Sequence, residues 1–321
     1  MANCEDLFSK FHDKIKLTET KNDSLMRARD AIRRKIKRYF RDTLGVNLPN
    51  FRMQGSFAIR TTINPLSGEF DIDDGVYLNN LPEETDDWSS PSTVHNWIYN
   101  ALENHTDKTP VDKRTCVRVI YASEYHVDLP IYGCYNGTSY LAEKGDNGWN
   151  ESDPLGLKDW FIEEVQNNDE QLRRMVRFIK AWADYISSNS NKMPSSVILT
   201  VLTTEAYEEY ERDDACLSHI LNSIQRRMIN SLDIYNPVDP TENLTERTSD
   251  AVKSSFLSQI EDFAGSSIDA LQTHSKKEAC KIWREYFGDR FENCDNVLEG
   301  EEAEAASTSS SAILRDDGRS A

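Results

Sequence analysis

The run EFDIDDGVYL, residues 69–78, restricts what this chain can fold into more than any other stretch. Side chains of a β-strand alternate between its faces, so a strand here sends Asp71 and Asp73 to one side and Ile72 to the opposite, apolar side. Two carboxylates that close repel each other unless a cation sits between them, and magnesium, with its octahedral oxygen shell, is the natural one. A third acid follows in YHVDLPIY, residues 125–132, where Tyr125, Val127 and Leu129 alternate with His126 and Asp128. On a neighbouring strand Asp128 can share the polar face, and three convergent carboxylates can hold two ions, magnesium or alternatively manganese. Two such metals stabilise both the attacking and the leaving oxygen of an in-line displacement and bridge the oxygens of a triphosphate. The pattern predicts Asp71 and Asp73 as ligands of both ions, and Asp128 as a ligand of the ion beside the attacking hydroxyl, whose loss of a proton it favours. Asp74 points away from Asp73 and reads as a turn residue before Gly75.

Upstream lies QGSFAIRTT, residues 54–62. Gly55 lets a backbone approach a phosphate closely, and the amide and hydroxyl of Ser56 can donate to its oxygens. Gly-Ser alone is a common turn; its position ahead of Asp-Ile-Asp and a later strand aspartate gives it weight. Around these motifs the texture of the chain changes twice. In RARDAIRRKIKRYFR, residues 27–41, Ala28, Ile32, Ile36 and Phe40 recur every fourth position and predict a buried helical face. Asn22 or Asp23 is expected to cap that helix and Gly45 to stop it, and its basic residues to form a solvated surface or a contact for nucleic acid or a partner. Between about 51 and 145, short β-prone runs such as VRVIYA (117–122) alternate with turns, and one helix around His95 to Leu102 interrupts them. Helical periodicity returns from about 155 to 293, where Leu172, Met175, Val176, Ile179, Trp182, Ala183 and Ile186 form one apolar stripe.

The expected fold is α/β of the α+β kind. Residues 1–48 form a helical brace, 49–150 a mixed-sheet catalytic core and 151–298 a helical lobe, with the active site in the cleft between core and lobe. A formal charge of -18 repels polyanions, so a protein that coats nucleic acid is excluded and any phosphate chemistry must be local. No apolar run is long enough to span a bilayer, and the opening MANCEDLFSK lacks the basic and apolar regions of a signal peptide. A cytoplasmic protein without a membrane partner is expected. Cys4, Cys116, Cys134, Cys216, Cys280 and Cys294 are scattered, and read as free thiols.

The order QGS, FDIDDGVYL, HVDLP resembles the polymerase-β-type nucleotidyltransferases. Within them it is similar to the CD-NTases, bacterial relatives of cyclic GMP-AMP synthase and oligoadenylate synthase that act in antiphage (CBASS) signalling. RMVRFIKAWADYI is similar to the family helix whose lysine meets the donor triphosphate, and MPSSVILTVL (193–202) to the Pro-Ser segment opening the next helix. NPVDPTENL (236–244) looks like the DPADPT-type turn of oligoadenylate synthases, and KIWREYFGDRF (281–291) like the family's closing element. By this resemblance Gln54, Gly55 and Ser56 meet the donor phosphates, Asp71, Asp73 and Asp128 bind magnesium, Lys180 and Ser195 or Ser196 meet the triphosphate tail, and Asn243 approaches the nucleotide. The residues themselves leave alternatives open. Lys180 shares a polar helix face with Arg173, Arg177 and Asp184 and can be solvated there. The serines can cap a helix after Pro194, and Asn243 can close an Asx turn. The segment PLSGEF, residues 65–70, lengthens the loop between Ser56 and the carboxylates.

The implied activity is condensation of nucleoside triphosphates, ATP with GTP or a pyrimidine, into a cyclic di- or trinucleotide second messenger, with no nucleic acid required. Two readings compete with it: a template-independent enzyme that tails RNA, and an inactive nucleotidyltransferase-fold scaffold. Overall charge argues against an RNA channel, and three retained, mutually repelling acids argue against a scaffold. From Glu299 the chain is acidic and Ser/Ala-rich, so residues 299–321 are predicted to form a disordered tail. Because some cyclases of the family are encoded with ubiquitin-ligase-like enzymes, the resemblance implies a conjugating-enzyme or regulatory partner for that tail.

Overall fold

The computed structural model describes residues 2–121, 125–145, 148–189 and 191–298; the stretch read as a disordered tail lies outside them. The chain opens with helix α1 (Glu5–Ile15) and helix α2 (Glu19–Tyr39). The break between them corrects the expected cap. Lys16 turns into an extended conformation and bridges to Ile63, and the Thr18 hydroxyl accepts the Lys21 amide at 3.3 Å, so neither Asn22 nor Asp23 starts the helix. A single π turn, Phe40–Leu44, ends on Gly45 at φ 64°, the left-handed conformation that glycine adopts without strain.

Strand β1 (Asn50–Gln54) runs into the short helix α3 (Gly55–Ala58), followed by β2 (Phe70–Leu78), α4 (Pro91–Leu102), β3 (Val111–Asp112), β4 (Cys116–Tyr121), β5 (Tyr125–Tyr135), β6 (Thr138–Glu143) and β7 (Gly148–Glu151). The sheet order is β1-β2-β5-β4-β3, with β6 and then β7 continuing beside the far half of β5. β2 and β5 are parallel and the other pairs antiparallel, giving the mixed sheet expected. The helical lobe comprises α5 (Pro154–Asn167), α6 (Glu170–Ser188), α7 (Ser196–Glu205), α8 (Asp213–Asn230), a hairpin of β8 (Tyr235–Asn236) and β9 (Asp239–Asn243), α9 (Asp250–Gln272) and α10 (Lys276–Phe287).

Two apolar cores form among the described residues, and the first two helices divide between them. From α1, Leu7, Phe8, Phe11 and Ile15 enter the helical core, where Phe8 meets the rings of Phe178, Trp283 and Phe291 edge-on at 5.0 to 5.3 Å. Burial of one such aromatic side chain contributes about 1.5–3 kcal/mol. From α2 and the π turn after it, Leu25, Ile32, Ile36 and Phe40 lie on the sheet with Ile72, Val76, Val127, Leu129 and Ile131. The apolar stripe of α6 is buried throughout, as its period predicts.

Two expectations are corrected. Asp74 is no turn residue: β2 continues through it to Leu78, and its fully buried carboxylate accepts from Arg33 of α2 at 2.7 and 2.5 Å. An unpaired carboxylate under a helix would be too costly, so part of the basic character of α2 serves the interior rather than the solvent. Cys280 and Cys294 are joined by a disulfide, because the chain folds back after α10 and brings their Cα atoms to 5.7 Å; Cys4, Cys116, Cys134 and Cys216 are free.

Candidate active site

Parallel pairing of β2 with β5 sets Asp73 directly beside Asp128, and Asp71 beside His126. Alternation along both strands then leaves all three acids on one face of the sheet, while Ile72, Val127 and Leu129 point into the core. The outer two acids share a guanidinium. Arg118, paired across β4 with Asp128, donates to it through Nε at 2.6 Å and a terminal nitrogen at 2.8 Å, and reaches Asp71 Oδ1 at 3.3 Å. Lys113 lies 3.7 Å from Asp128, and His126 Nδ1 3.2 Å from Asp71. Asp73, between them, has no hydrogen-bond or ion-pair partner among the described residues. Burial first, then the charges of Asp128 and Asp71, push its carboxyl up to about 7.

Gly55 faces this carboxylate. At φ 65° it occupies the left-handed region, and a Cβ there would stand 2.2 Å from Asp73 Oδ2. Only glycine lets the backbone come this close. Beyond it a cavity of about 400 Å³ is lined by Gln54, Gly55, Ser56, Asp71, Asp73 and Lys180 on its polar side, and by Leu157, Trp160 and Val197 on its apolar side. A second cavity of about 320 Å³, bordered by Thr61, Thr62, Asp184 and Pro194, shares Ser56, Asp71, Lys180 and Ser196 with the first. Both volumes lie within the ordinary range of small-molecule sites.

Most of the residues singled out from the sequence converge here; Asp128 pairs with Asp73 but borders neither cavity, and two others lie apart. Ser196, in the first turn of α7, borders both cavities; Ser195 is the exposed N-cap of that helix and makes no capping bond. Asn243 lies on β9, away from both cavities, where its carbonyl oxygen accepts from the Thr245 amide at 2.9 Å and hydroxyl at 2.7 Å: the Asx turn that its local pattern allowed. The side chain of Gln54 is spoken for, since its amide donates to Tyr132 at 2.9 Å and its carbonyl accepts from Tyr77 at 3.1 Å. Lys180 is buried rather than solvated. Its Nζ donates to Thr61 Oγ1 at 2.8 Å, and burial, then the neighbouring Arg177, lower its pKa to about 7.

As the side chains stand, no three acidic, histidine or cysteine residues among those described are close enough to cage an ion. The chemistry of the set nevertheless fits a hard divalent cation: carboxylate oxygens alone, one of them without a partner, and a guanidinium already drawn to the outer two. Arg118 stands in for part of the positive charge that the three acids require. Sequence reading missed Arg118, Thr61 and Thr62. The first had a signal, as the single charge within the apolar run CVRVIY and one hairpin away from Asp128, a common cross-strand arrangement.

Two family models match the chain: the nucleotidyltransferase domain of the DncV-like cyclic GMP-AMP synthases over residues 49–132, and the C-terminal domain of cyclic GMP-AMP synthase over residues 169–299. The cyclic GMP-AMP synthase of Escherichia albertii is 26% identical over 265 residues, which cover 78% of this chain and 59% of that protein. The chain thus spans about three fifths of that relative's length. The c-di-GMP synthase of Roseivirga ehrenbergii is 26% identical, covering 88% of this chain and 84% of its own. Vibrio cholerae DncV cyclic AMP-GMP synthase, solved with nonhydrolyzable GTP, matches with a TM-score of 0.79 at 21% identity over 94% of this chain and 100% of that one. Escherichia coli DncV in its 3'-deoxy GTP bound form gives 0.74 at 22% over 89% and 95%. The expected sheet lobe and helical lobe are therefore those of a nucleotidyltransferase fold.

Proposed function

Since the chain belongs to the DncV-like family of cyclic GMP-AMP synthases, we propose that it joins nucleoside triphosphates into a cyclic oligonucleotide in a magnesium-dependent reaction. The curated relatives, named as cyclic GMP-AMP and c-di-GMP synthases, favour a ring of two purine nucleotides over one of three. One observation carries the reading: Asp73, unpartnered among the described residues and flanked by Asp71 and Asp128, lies against Gly55 and lines with Ser56 a cavity that a second cavity joins. Two cavities that adjoin at Ser56, Asp71, Lys180 and Ser196 leave room for a donor and an acceptor nucleotide.

Divalent ions held by Asp71, Asp73 and Asp128 would polarise the α-phosphate and lower the pKa of the attacking hydroxyl. The chain's own groups do the rest. Gly55 and Ser56 bring backbone and hydroxyl donors to the donor triphosphate, while Lys180 and Ser196 line the same space from the helical lobe. Leu157 and Trp160 offer an apolar wall for a base. A ribose hydroxyl oxygen forms a bond to the α-phosphorus, the bond to pyrophosphate breaks, and the hydroxyl proton leaves on the side of Asp128. A second such step, after the linear product turns round, closes the ring. We further assign the product to antiphage signalling in the cytoplasm, and the segment after residue 298 to a conjugating or regulatory partner.

The test is to supply the purified protein with all four nucleoside triphosphates and magnesium, and to examine phosphatase-resistant products by mass spectrometry. A cyclic dinucleotide is expected, and none from Asp71→Asn/Asp73→Asn. Product that appears only with added RNA would establish tailing instead, and a protein inert under every condition would be a scaffold.

A further inference from the structure

Helix α6 carries a polar stripe of Arg173, Arg177, Lys180 and Asp184, one or two turns apart. Instead of facing solvent, it follows the chain that leaves the Gly55–Ser56 loop, residue by residue. Arg173 Nε donates to the Ile59 carbonyl at 3.0 Å, Arg177 to the Arg60 carbonyl, Lys180 to the Thr61 hydroxyl at 2.8 Å, and Asp184 accepts from the Leu66 amide at 3.0 Å. Arg290, on the turn after α10, ties Asp184 (2.7 Å) to the Asn64 carbonyl (3.4 Å). The gripped segment is under constraint: Arg60 has φ 58°, a left-handed conformation that a residue with a Cβ rarely takes unless its surroundings hold it there.

The segment in turn closes on the loop. The Thr61 amide donates to the Ser56 carbonyl at 2.9 Å, and Thr62 Oγ1 lies 3.0 Å from Ser56 Oγ. Hydrogen bonds from α6 hold residues 59–61, and through the covalent chain the next two contacts, from Thr61 and Thr62, reach both the backbone and the hydroxyl of Ser56. We propose that Arg173 and Arg177 are positioning residues, which fix the phosphate-binding loop of the sheet lobe relative to the helical lobe, and that Thr62 sets the hydroxyl of Ser56. This deepens the functional reading above and rests on it. Neither arginine borders the two cavities, so neither is expected to touch substrate.

The experiment measures equilibrium binding of a nonhydrolysable nucleoside triphosphate, together with the thermal midpoint, for wild type, Arg177→Met, Thr62→Val, Thr62→Ser, Arg173→Met, Arg173→Lys and the Arg177→Met/Thr62→Val pair. Arg177→Met and Thr62→Val are each expected to weaken binding about tenfold while folded. The pair is expected to be little worse than either alone, because both act through one loop. Thr62→Ser and Arg173→Lys, which keep a donor, should recover much of the loss, and in turnover the KM should rise more than kcat falls. Thr62→Val exchanges a hydroxyl for a methyl group of similar size, so it keeps the test open if an arginine variant does not fold. Wild-type binding by folded variants, or fully additive losses, would overturn the inference alone. A wild-type protein that binds no triphosphate would overturn the functional reading and this inference with it.

Discussion

A carboxyl group set between two others, largely withdrawn from water and without a side-chain partner among the described residues, keeps its proton far above the usual range, and Asp73 is so placed. The folded state holds that proton from the ordinary value of 3.8 up to about 7, whereas the unfolded chain has already released it. Stability from this group is therefore full below the lower value and is lost as pH rises through the upper one. Asp73→Asn is expected to raise the melting temperature of the protein in chelator at pH 8, with the gain shrinking towards pH 5; thermal melts across that range check it, and a gain that grows on acidification would contradict it. Lys180 shows the converse shift, from burial, and its ammonium stands at the junction of both cavities. Lys180→Ala is expected to weaken triphosphate binding by about 1.5–3 kcal/mol, the range for a hydrogen bond to a charged group. Calorimetric titration with ATP and GTP decides this, and an unchanged affinity would leave Lys180 as a peg for Thr61 alone.

At the level of elements, β2 carries acids on both faces, and the two faces have opposite purposes. Asp71 and Asp73 open on the cleft, whereas Asp74 pins α2 to the sheet through Arg33. Asp74→Ala removes the carboxylate and leaves the guanidinium under the helix, at a cost of about 3 kcal/mol, moderated by the partial exposure of Arg33. Urea denaturation would show it as a lower midpoint, and wild-type stability would mean that water satisfies Arg33. The pairing of β2 with β5 also skips from Asp73–Asp128 to Val76–Ile131. Pro130 falls in that gap and has no amide to give to the ladder, so the proline is accommodated immediately beyond the paired Asp73 and Asp128.

For the molecule as a whole, two cores meet at the cleft, and the segment 59–66 is held by bonds from α6, from α1 through the Ile15 carbonyl to the Asn64 amide, and from α2 through Lys21 to the Asn64 side chain. Every residue assigned to the site lies between Gln54 and Ser196, so deletion of residues 307–321 is expected to leave nucleotide synthesis by the purified protein unchanged. Product yields of full-length and truncated protein at equal concentration test that, and lost synthesis would place the tail in the enzyme. What the sequence determined by itself is whatever repeats over a few residues. The alternation that put Asp71 and Asp73 on one face of β2, the four-residue period of α2, the stripe of α6 and the stop at Gly45 are all set by backbone geometry within one element, whereas the pairing of β2 with β5 added Asp128 to that face. Tertiary structure decided which side chain each polar group meets: Arg33 under Asp74, Cys280 beside Cys294, the cations of α6 along residues 59–61, and Arg118 across Asp128, the last of them the one that a hairpin reading could have found. Those partners are separated by 10 to 119 positions, and no local period encodes them. Two elements first have to pack, and the charges left between them are then obliged to find one another because burial without a partner costs too much.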